Sequence, residues 1–372
     1  MNSIPPKSKR ILSLDVFRGL TIVLMIIVNS QATRAPYALL AHADWDGCTL
    51  ADVVFPFFLF IVGISSVISL KNQVQVKSKS SLYSGIVQRS LVLFCVGLLL
   101  NAIPYHFDIA TIRIFGILQR IAICYLICAI IYLNTTVRTQ ILIFLVIIIG
   151  YWFLMTQVPV PGHGINQLTI DGSWATYLDR MLLSPAHLYT KTYDPEGGFS
   201  TIPAIATTLA GVLTGQLLLT SLSNKSKCYI MGLTGGVFLF LGWIWGYSFP
   251  INKSLWTSSF VLWTGGYALV AFALCFWIID ILGYTRWALP LKIFGMNALF
   301  AFIFHVLLLK IQSMFSFPLR NGTLDNSRSA IADHLFGSFG PQNAALFYSL
   351  AFLFLNFLVV AFLYRRKLFI RI

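Results

Sequence analysis

Leu50-Ala-Asp-Val-Val-Phe-Pro-Phe-Phe-Leu-Phe-Ile-Val-Gly-Ile-Ser-Ser-Val-Ile-Ser-Leu70 decides the fold. Asp52 is the only ionisable residue in this run, which is long enough as a helix to cross a hydrocarbon core of about 30 Å. Comparable runs recur on both sides of it: Ile11–Ser30, Ile86–Ile103, Ile112–Leu133, Gln140–Met155, Phe199–Thr220, Tyr229–Phe249, Leu255–Leu282, Leu289–Ile311 and Ala344–Tyr364. Hydrophobic residues make up 58% of the 372 and charged residues 10%, with a mean hydropathy of +0.81. That is too little charge to cover the surface of a water-soluble domain of this size. The expected architecture is all-α, a polytopic integral membrane bundle of about ten spanning helices. Residues 1–372 read as one transmembrane domain.

The net charge of +14 is topological rather than a nucleic-acid footprint. With the N-terminus inside, Lys7, Lys9, Arg10, Lys71, Lys77, Lys79, Arg138, Lys225, Lys227, Arg286, Lys292, Arg365, Arg366, Lys367 and Arg371 fall on one side. Arg34, Arg113, Arg180, Lys191, Lys253, Lys310, Arg320 and Arg328 fall on the other, over much longer connections. Positive residues concentrate on the cytoplasmic side of membrane proteins, so both termini are expected there. No small-residue cleavage pattern follows the first apolar run, so no cleaved leader is expected. Cys48, Cys95, Cys124, Cys128, Cys228 and Cys275 show no metal-ligand or disulfide-framework spacing. Cys124 and Cys128 share a helix face and read as small packing residues.

Three outer segments carry the polar detail: 31–49, 156–198 and 312–343. Ordered loops of this length are usually functional. The first holds His42, Asp44, Trp45, Asp46, Cys48 and Thr49, and the second contains Glu196, the chain's single glutamate. Ionisable and amide groups within spans are costly in lipid and need a reason. Asn29 ends the first span. Arg120 falls seven residues after Arg113, about 10 Å deeper at the helical rise. His305 lies about 9 Å from the outer end of its span, and Asn297 is eight positions earlier on nearly the same face. With Glu196, these groups are expected to converge on the outer half of the bundle, beneath the His42 loop. A second polar level, with Asp15, Arg18, Gln88, Arg89 and Asp280, is expected at the inner end. Asp15 and Arg18 are spaced to pair on one helix face. Two polar levels joined through a bundle fit either solute transport or group transfer, and periodicity does not separate them.

Several blocks occur together and in order: Ser13-Leu-Asp-Val-Phe-Arg-Gly19, Val28-Asn29, His42-Ala-Asp-Trp-Asp-Gly-Cys-Thr-Leu-Ala-Asp-Val-Val-Phe-Pro56, Arg113-Ile-Phe-Gly-Ile-Leu-Gln-Arg120, Tyr193-Asp-Pro-Glu-Gly197, Asn252-Lys-Ser-Leu-Trp256 and Gly295-Met-Asn297 with His305. The set closely resembles the membrane domain of the heparan-α-glucosaminide N-acetyltransferase family and covers nearly the whole chain. The resemblance implies acyl transfer from cytosolic acetyl-CoA, as co-substrate, to an amino sugar or sugar hydroxyl on the far side of the membrane. It implies that His42 is the catalytic histidine and Asn29 its partner. Relative to the animal enzyme, the chain begins almost directly at the Asp15–Gly19 motif, and its Asn29–His42 gap is slightly longer.

Each residue also has a plainer reading. A loop histidine is usually just solvated, but an imidazole can serve as general base or as acyl-accepting nucleophile. Both mechanisms stay open, with Asp44 and Asp46 as expected orienters of the ring. Asn29 is an interfacial helix end, or an amide that orients His42 or holds the thioester carbonyl. Asp15 and Arg18 form a structural ion pair, or with Arg120 and Gln119 bind the co-substrate; a guanidinium fork suits phosphate. Glu196, Asp44, Trp45, Asn297 and His305 are candidates for the acceptor site, against positioning, aromatic-belt and interhelical hydrogen-bonding roles. Asp52 is expected to cap the second helix, with Pro56 in its first turn. No metal site is expected. The expected setting is the bacterial inner membrane with His42 on the periplasmic side. The expected partners are a carbohydrate or glycolipid acceptor and the bilayer, not nucleic acid, with a homodimer left open. The rivals are a secondary transporter for a sugar or lipid head group, which calls for discontinuous helices in matching halves, and a non-catalytic scaffold.

Overall fold

A computed structural model describes residues 11–32, 36–103 and 107–370. Lys7, Lys9, Arg10, Arg34 and Arg371, used in the charge asymmetry, lie outside the described residues. The expected spans appear as α1 (Leu12–Asn29), α2 (Leu50–Val74), α3 (Lys79–Ala102), α4 (Ile117–Asn134) and α5 (Val137–Gln157). After a short α6 (Trp174–Leu182) come α7 (Thr201–Leu218), α8 (Asn224–Gly246) and α9 (Ser258–Phe276), then α10 (Leu289–Met296), α11 (Ala298–Met314), a short α12 (Ser327–Phe336) and α13 (Pro341–Arg365). Among the described residues, nine helices are long and apolar enough to cross a membrane, and the α10–α11 pair makes a tenth if counted as one broken span. This is an all-α polytopic membrane bundle. Among the described residues the one sheet is a hairpin of β1 (Ser316–Pro318) and β2 (Leu324–Asn326), within the 312–343 segment.

Two ends can be told apart. At the terminal end, the Ser13 amide donates to Asp280, and the side chain of Asn297 bonds the backbone of Leu368 and Ile370. At the loop end, Trp45 donates to the Leu168 carbonyl and Ser329 to that of Ala32. One apolar cluster, from Phe17 and Phe60 to Phe272 and Phe352, joins α1, α2, α9 and α13.

The Asp15–Gly19 motif has a packing reason. α1 and α10 cross with almost no room between backbones: a Cβ on Gly19 would lie 1.8 Å from the Leu291 carbonyl oxygen, and one on Gly295 1.8 Å from that of Asp15. Small residues let membrane helices approach in this way. The crossing sets Gly295 beside Arg18, whose Nη1 donates to the Gly295 carbonyl at 3.3 Å.

Three expectations change. Leu289–Ile311, read as one span, is broken at Asn297 and bent by 70°; its apolar run continues through the break, so hydropathy could not reveal it. A discontinuous helix is therefore present, though among the described residues it is the only such bent pair. Ile112–Phe115 are not helical: α4 starts at Ile117, and Asn101 Nδ2 holds the carbonyls of Arg113 and Phe115 at 3.1 Å each. Pro56 lies in the interior of α2, beyond its first turn.

Candidate active site

His42 follows a short helical turn, Ala38–Leu40, and is brought back over the start of α2. Thr49 caps α2, and its side chain and that of Asp52 form a reciprocal capping box. Asp52 is almost fully buried, and its Oδ2 accepts from the amides of Ala43 and Thr49 at 3.0 Å. Its Oδ1 lies 2.7 Å from His42 Nδ1. The carboxylate that caps the helix thus also holds the imidazole, which is half exposed. The expected orienters do not fill that role. Asp46 accepts from Asn252 Nδ2 at 3.1 Å, and Asp44 stands exposed on the loop. Lys253 completes the cluster, with Nζ 3.1 Å from His42 Nδ1 and 3.3 Å from Asp52 Oδ1.

Beneath and beside it lies a dense ionic network. Arg113 forks onto Asp194 at 2.8 and 2.5 Å and also bonds Glu196. Burial favours neutral Glu196, but Arg113 and Arg120 outweigh it and hold the carboxyl below its usual range. Burial also opposes charge on Arg113, yet Glu196 and Asp194 keep it firmly protonated. Asp179 is different. Burial pushes its carboxyl up to about 6 against the opposing hydrogen bond from the Phe199 amide. Its Oδ2 has no partner and lies where a Cβ on Gly197 would fall, which explains glycine in the Asp194-Pro-Glu-Gly-Gly turn.

Arg120 is fully buried in the first turn of α4. Its Nη2 donates to Ser200 Oγ at 2.5 Å and to the Gly197 carbonyl at 3.2 Å. The guanidinium lies 4.9 Å from the Trp256 ring and 5.9 Å from that of Phe55. Nε and Nη1 are buried without partners, and such donors are costly to leave unused. Because Arg113 lies on a loop, its sequence distance from Arg120 does not measure depth.

At the terminal end, a cavity of about 1080 Å³ runs from Gln73 and Lys77 inward to Phe58, Leu118 and Phe302. Asp15, Arg18, Gln88 and Arg89 line it. Arg18 is 3.2 Å from Asp15 Oδ1 and 2.7 Å from Ser65 Oγ. Arg89 lies over the Tyr125 ring at 4.8 Å, with its buried Nε unpartnered. The cavity ends at Phe58, six residues along α2 from Asp52, or about 9 Å at the helical rise. Phe55, Trp256 and Arg120 fill that interval.

The remaining candidates scatter. Asn29 ends α1 and makes no hydrogen bond to His42, whose Nδ1 faces Asp52 and Lys253. Gln119 is buried against Gly97 with Nε2 unpartnered. Trp45 packs edge-on to Tyr193 and ties down the 156–198 segment. His305 is buried, with Nδ1 3.1 Å from the Ala301 carbonyl. Asn297 is not in the outer half as expected: the break between α10 and α11 places it at the terminal end, against Leu368 and Ile370. Asp52, Lys253, Asp194 and Asp179 were missed as site residues. Asp52 and Lys253 do stand inside the His42–Pro56 and Asn252–Trp256 blocks, which was the available signal. Cys124 and Cys128 are buried free thiols, as their packing role requires.

Fold and site together define a membrane-embedded helix bundle with a carboxylate-held histidine at one face and a polar cavity entering from the other. The family model described as heparan-alpha-glucosaminide N-acetyltransferase, catalytic, matches residues 10–244. Two similar proteins are the heparan-alpha-glucosaminide N-acetyltransferases of Homo sapiens, 28% identical over 82% of this chain and 53% of that protein, and of Mus musculus, 29% identical over 81% and 54%. The chain belongs to the heparan-alpha-glucosaminide N-acetyltransferase family, and spans about half the length of these relatives.

Proposed function

We propose that this protein is a transmembrane acyltransferase that takes an acetyl group from cytosolic acetyl-CoA and delivers it to an amino group of a carbohydrate on the opposite face. The observation that carries this reading is the His42–Asp52 contact at 2.7 Å, set across a closed septum from a cavity lined by Arg18 and Arg89. The charge asymmetry supports a cytoplasmic terminal end; on this reading the cavity faces the donor's side and His42 the periplasm of a bacterial inner membrane. A cavity of about 1080 Å³ that mixes guanidinium groups with apolar walls suits a long molecule with phosphates at one end and an uncharged arm at the other.

The donor supplies an acyl group activated as a thioester. With Nδ1–H held by Asp52, Nε2 is the nitrogen of His42 left to act as the base. It removes a proton from the acceptor amine as the N–C bond forms and the C–S bond breaks, and the departing thiolate is then protonated. Arg120, through its unpartnered N–H groups, and Asn29 are the donors proposed to steady the carbonyl oxygen. Arg18, paired with Asp15, and Arg89 take the phosphate end, and Gln119 lies between the two regions. Glu196 and Trp45 shape the acceptor entrance through the loops they hold, and Asp44 is free to meet acceptor hydroxyls. Asn297 and His305 act as bundle struts.

The test is acetyl transfer by the purified protein from labelled acetyl-CoA to glucosamine. The expected result is labelled N-acetylglucosamine, with transfer reduced about 10²–10⁴-fold in His42→Ala. Labelled acetyl left on the protein without acceptor, and absent in His42→Ala, would convert the base into a nucleophile. Full transfer by His42→Ala would overturn the reading.

A further inference from the structure

Nδ1 of an imidazole carries either one proton or one lone pair. In this protein it faces two partners: Asp52 Oδ1, which can only accept, at 2.7 Å, and Lys253 Nζ, a donor, at 3.1 Å. It cannot satisfy both. Lys253 Nζ is also 3.3 Å from Asp52 Oδ1, so the ammonium has an alternative acceptor and the imidazole does not. Resting on the acyltransferase reading, we infer that Lys253 is a positioning residue that neutralises Asp52 and thereby keeps His42 an uncharged base with its proton on Nδ1.

The placement of Lys253 is built into the fold. Its loop is stitched to the His42 loop by the Gly47 amide on the Ile251 carbonyl at 2.7 Å and by Asn252 Nδ2 on Asp46. Asn252 Oδ1 in turn accepts from the Leu255 amide at 2.8 Å, and Thr257 caps α9 directly behind. The lysine side chain is about one-fifth exposed, so its stem is sheltered while its head reaches the pair.

An isolated carboxylate beside an imidazole favours the imidazolium, which has no lone pair with which to take a proton. An ammonium on the same carboxylate oxygen opposes that charge directly. The other charged neighbours do not replace it. Cys48 is pushed up to about 12 by burial and by Asp52, with Lys253 opposing, so it stays a neutral thiol. Glu196, which interacts electrostatically with Lys253, is engaged by Arg113. Asp44 and Asp46 on the His42 loop are both exposed.

The experiment has two arms. First, ¹⁵N NMR of histidine-labelled protein in nanodiscs, with the His42 signals assigned by loss in His42→Ala, reads the tautomer without any turnover. At neutral pH the wild type is expected to show the proton on Nδ1. A proton on Nε2, the pattern produced if Lys253 donates to Nδ1, would overturn the inference. Second, Lys253→Met is expected to move the acid limb of kcat/KM up by about one pH unit, the effect of deleting a close charge. It should leave the alkaline plateau within a few-fold, and Lys253→Arg should restore the wild-type limb. An unmoved limb in Lys253→Met, or an equal loss at every pH that Lys253→Arg does not rescue, would overturn it. The parent reading fails separately, on full acetyl transfer by His42→Ala.

Discussion

The two polar ends of this bundle are built differently. At the loop end nearly every charge is paired and fixed: Arg113 forks onto Asp194 and reaches Glu196, Arg120 is anchored by Ser200 and Gly197, and Asp52 gathers two amides, an imidazole and an ammonium. At the terminal end Arg18 and Arg89 stand on the wall of a large cavity, Arg18 beside Asp15 and Ser65 and Arg89 over the Tyr125 ring. A network of paired charges has one geometry and resists reorganisation, which suits a reacting centre. A polar-walled cavity can wrap a long ligand, and each contact adds affinity rather than rate. On the proposed reading, chemistry belongs to one end and binding to the other.

That assignment can be broken by substitutions at each end. The largest effect is expected from Asp52→Asn, which keeps the size of the side chain but removes the charge that fixes His42. Turnover should fall roughly 10²-fold or more, with the Michaelis constant for the donor nearly unchanged. Steady-state kinetics over a donor series checks this, and an equal rise in KM would dissolve the distinction between the ends. A smaller and opposite signature is expected from Arg89→Gln: about tenfold weaker donor binding, or about 1.4 kcal/mol, at constant turnover with saturating donor. Isothermal titration with CoA measures it directly. If turnover fell while CoA affinity held, the cavity would belong to the reacting centre after all.

Much of the fold was legible because lipid makes it so. Every spanning backbone must satisfy its own hydrogen bonds, so a long apolar run can hardly be anything but a helix, and α1, α2, α7 and α13 begin and end within a few residues of the runs that announced them. The break at Asn297 was invisible for the same reason: apolar residues continue on both sides of it, and the contacts of Asn297 at the 70° bend are with the distant C-terminal backbone. The centre of the candidate site was legible as a cluster, since His42 stands in the densest polar block of the chain. Its surroundings were not. Asp44 and Asp46 are nearer in sequence, yet the loop folds back on the cap of α2 and gives the imidazole to Asp52. Lys253 lies 211 residues away and arrives only because two loops are stitched together. Ionic partners such as Arg113 and Asp194 are likewise long-range, and no local period encodes them.

The central claim is that donor and acceptor meet from opposite sides of one membrane. Its most direct measurement uses proteoliposomes containing a single, proteolytically verified orientation. Labelled acetyl-CoA is placed on the side of the termini, and glucosamine on the side of His42. The account predicts labelled N-acetylglucosamine on the His42 side, and almost none when the two substrates exchange compartments. Equal product in both arrangements, or product only when both substrates share the side of the termini, would contradict it.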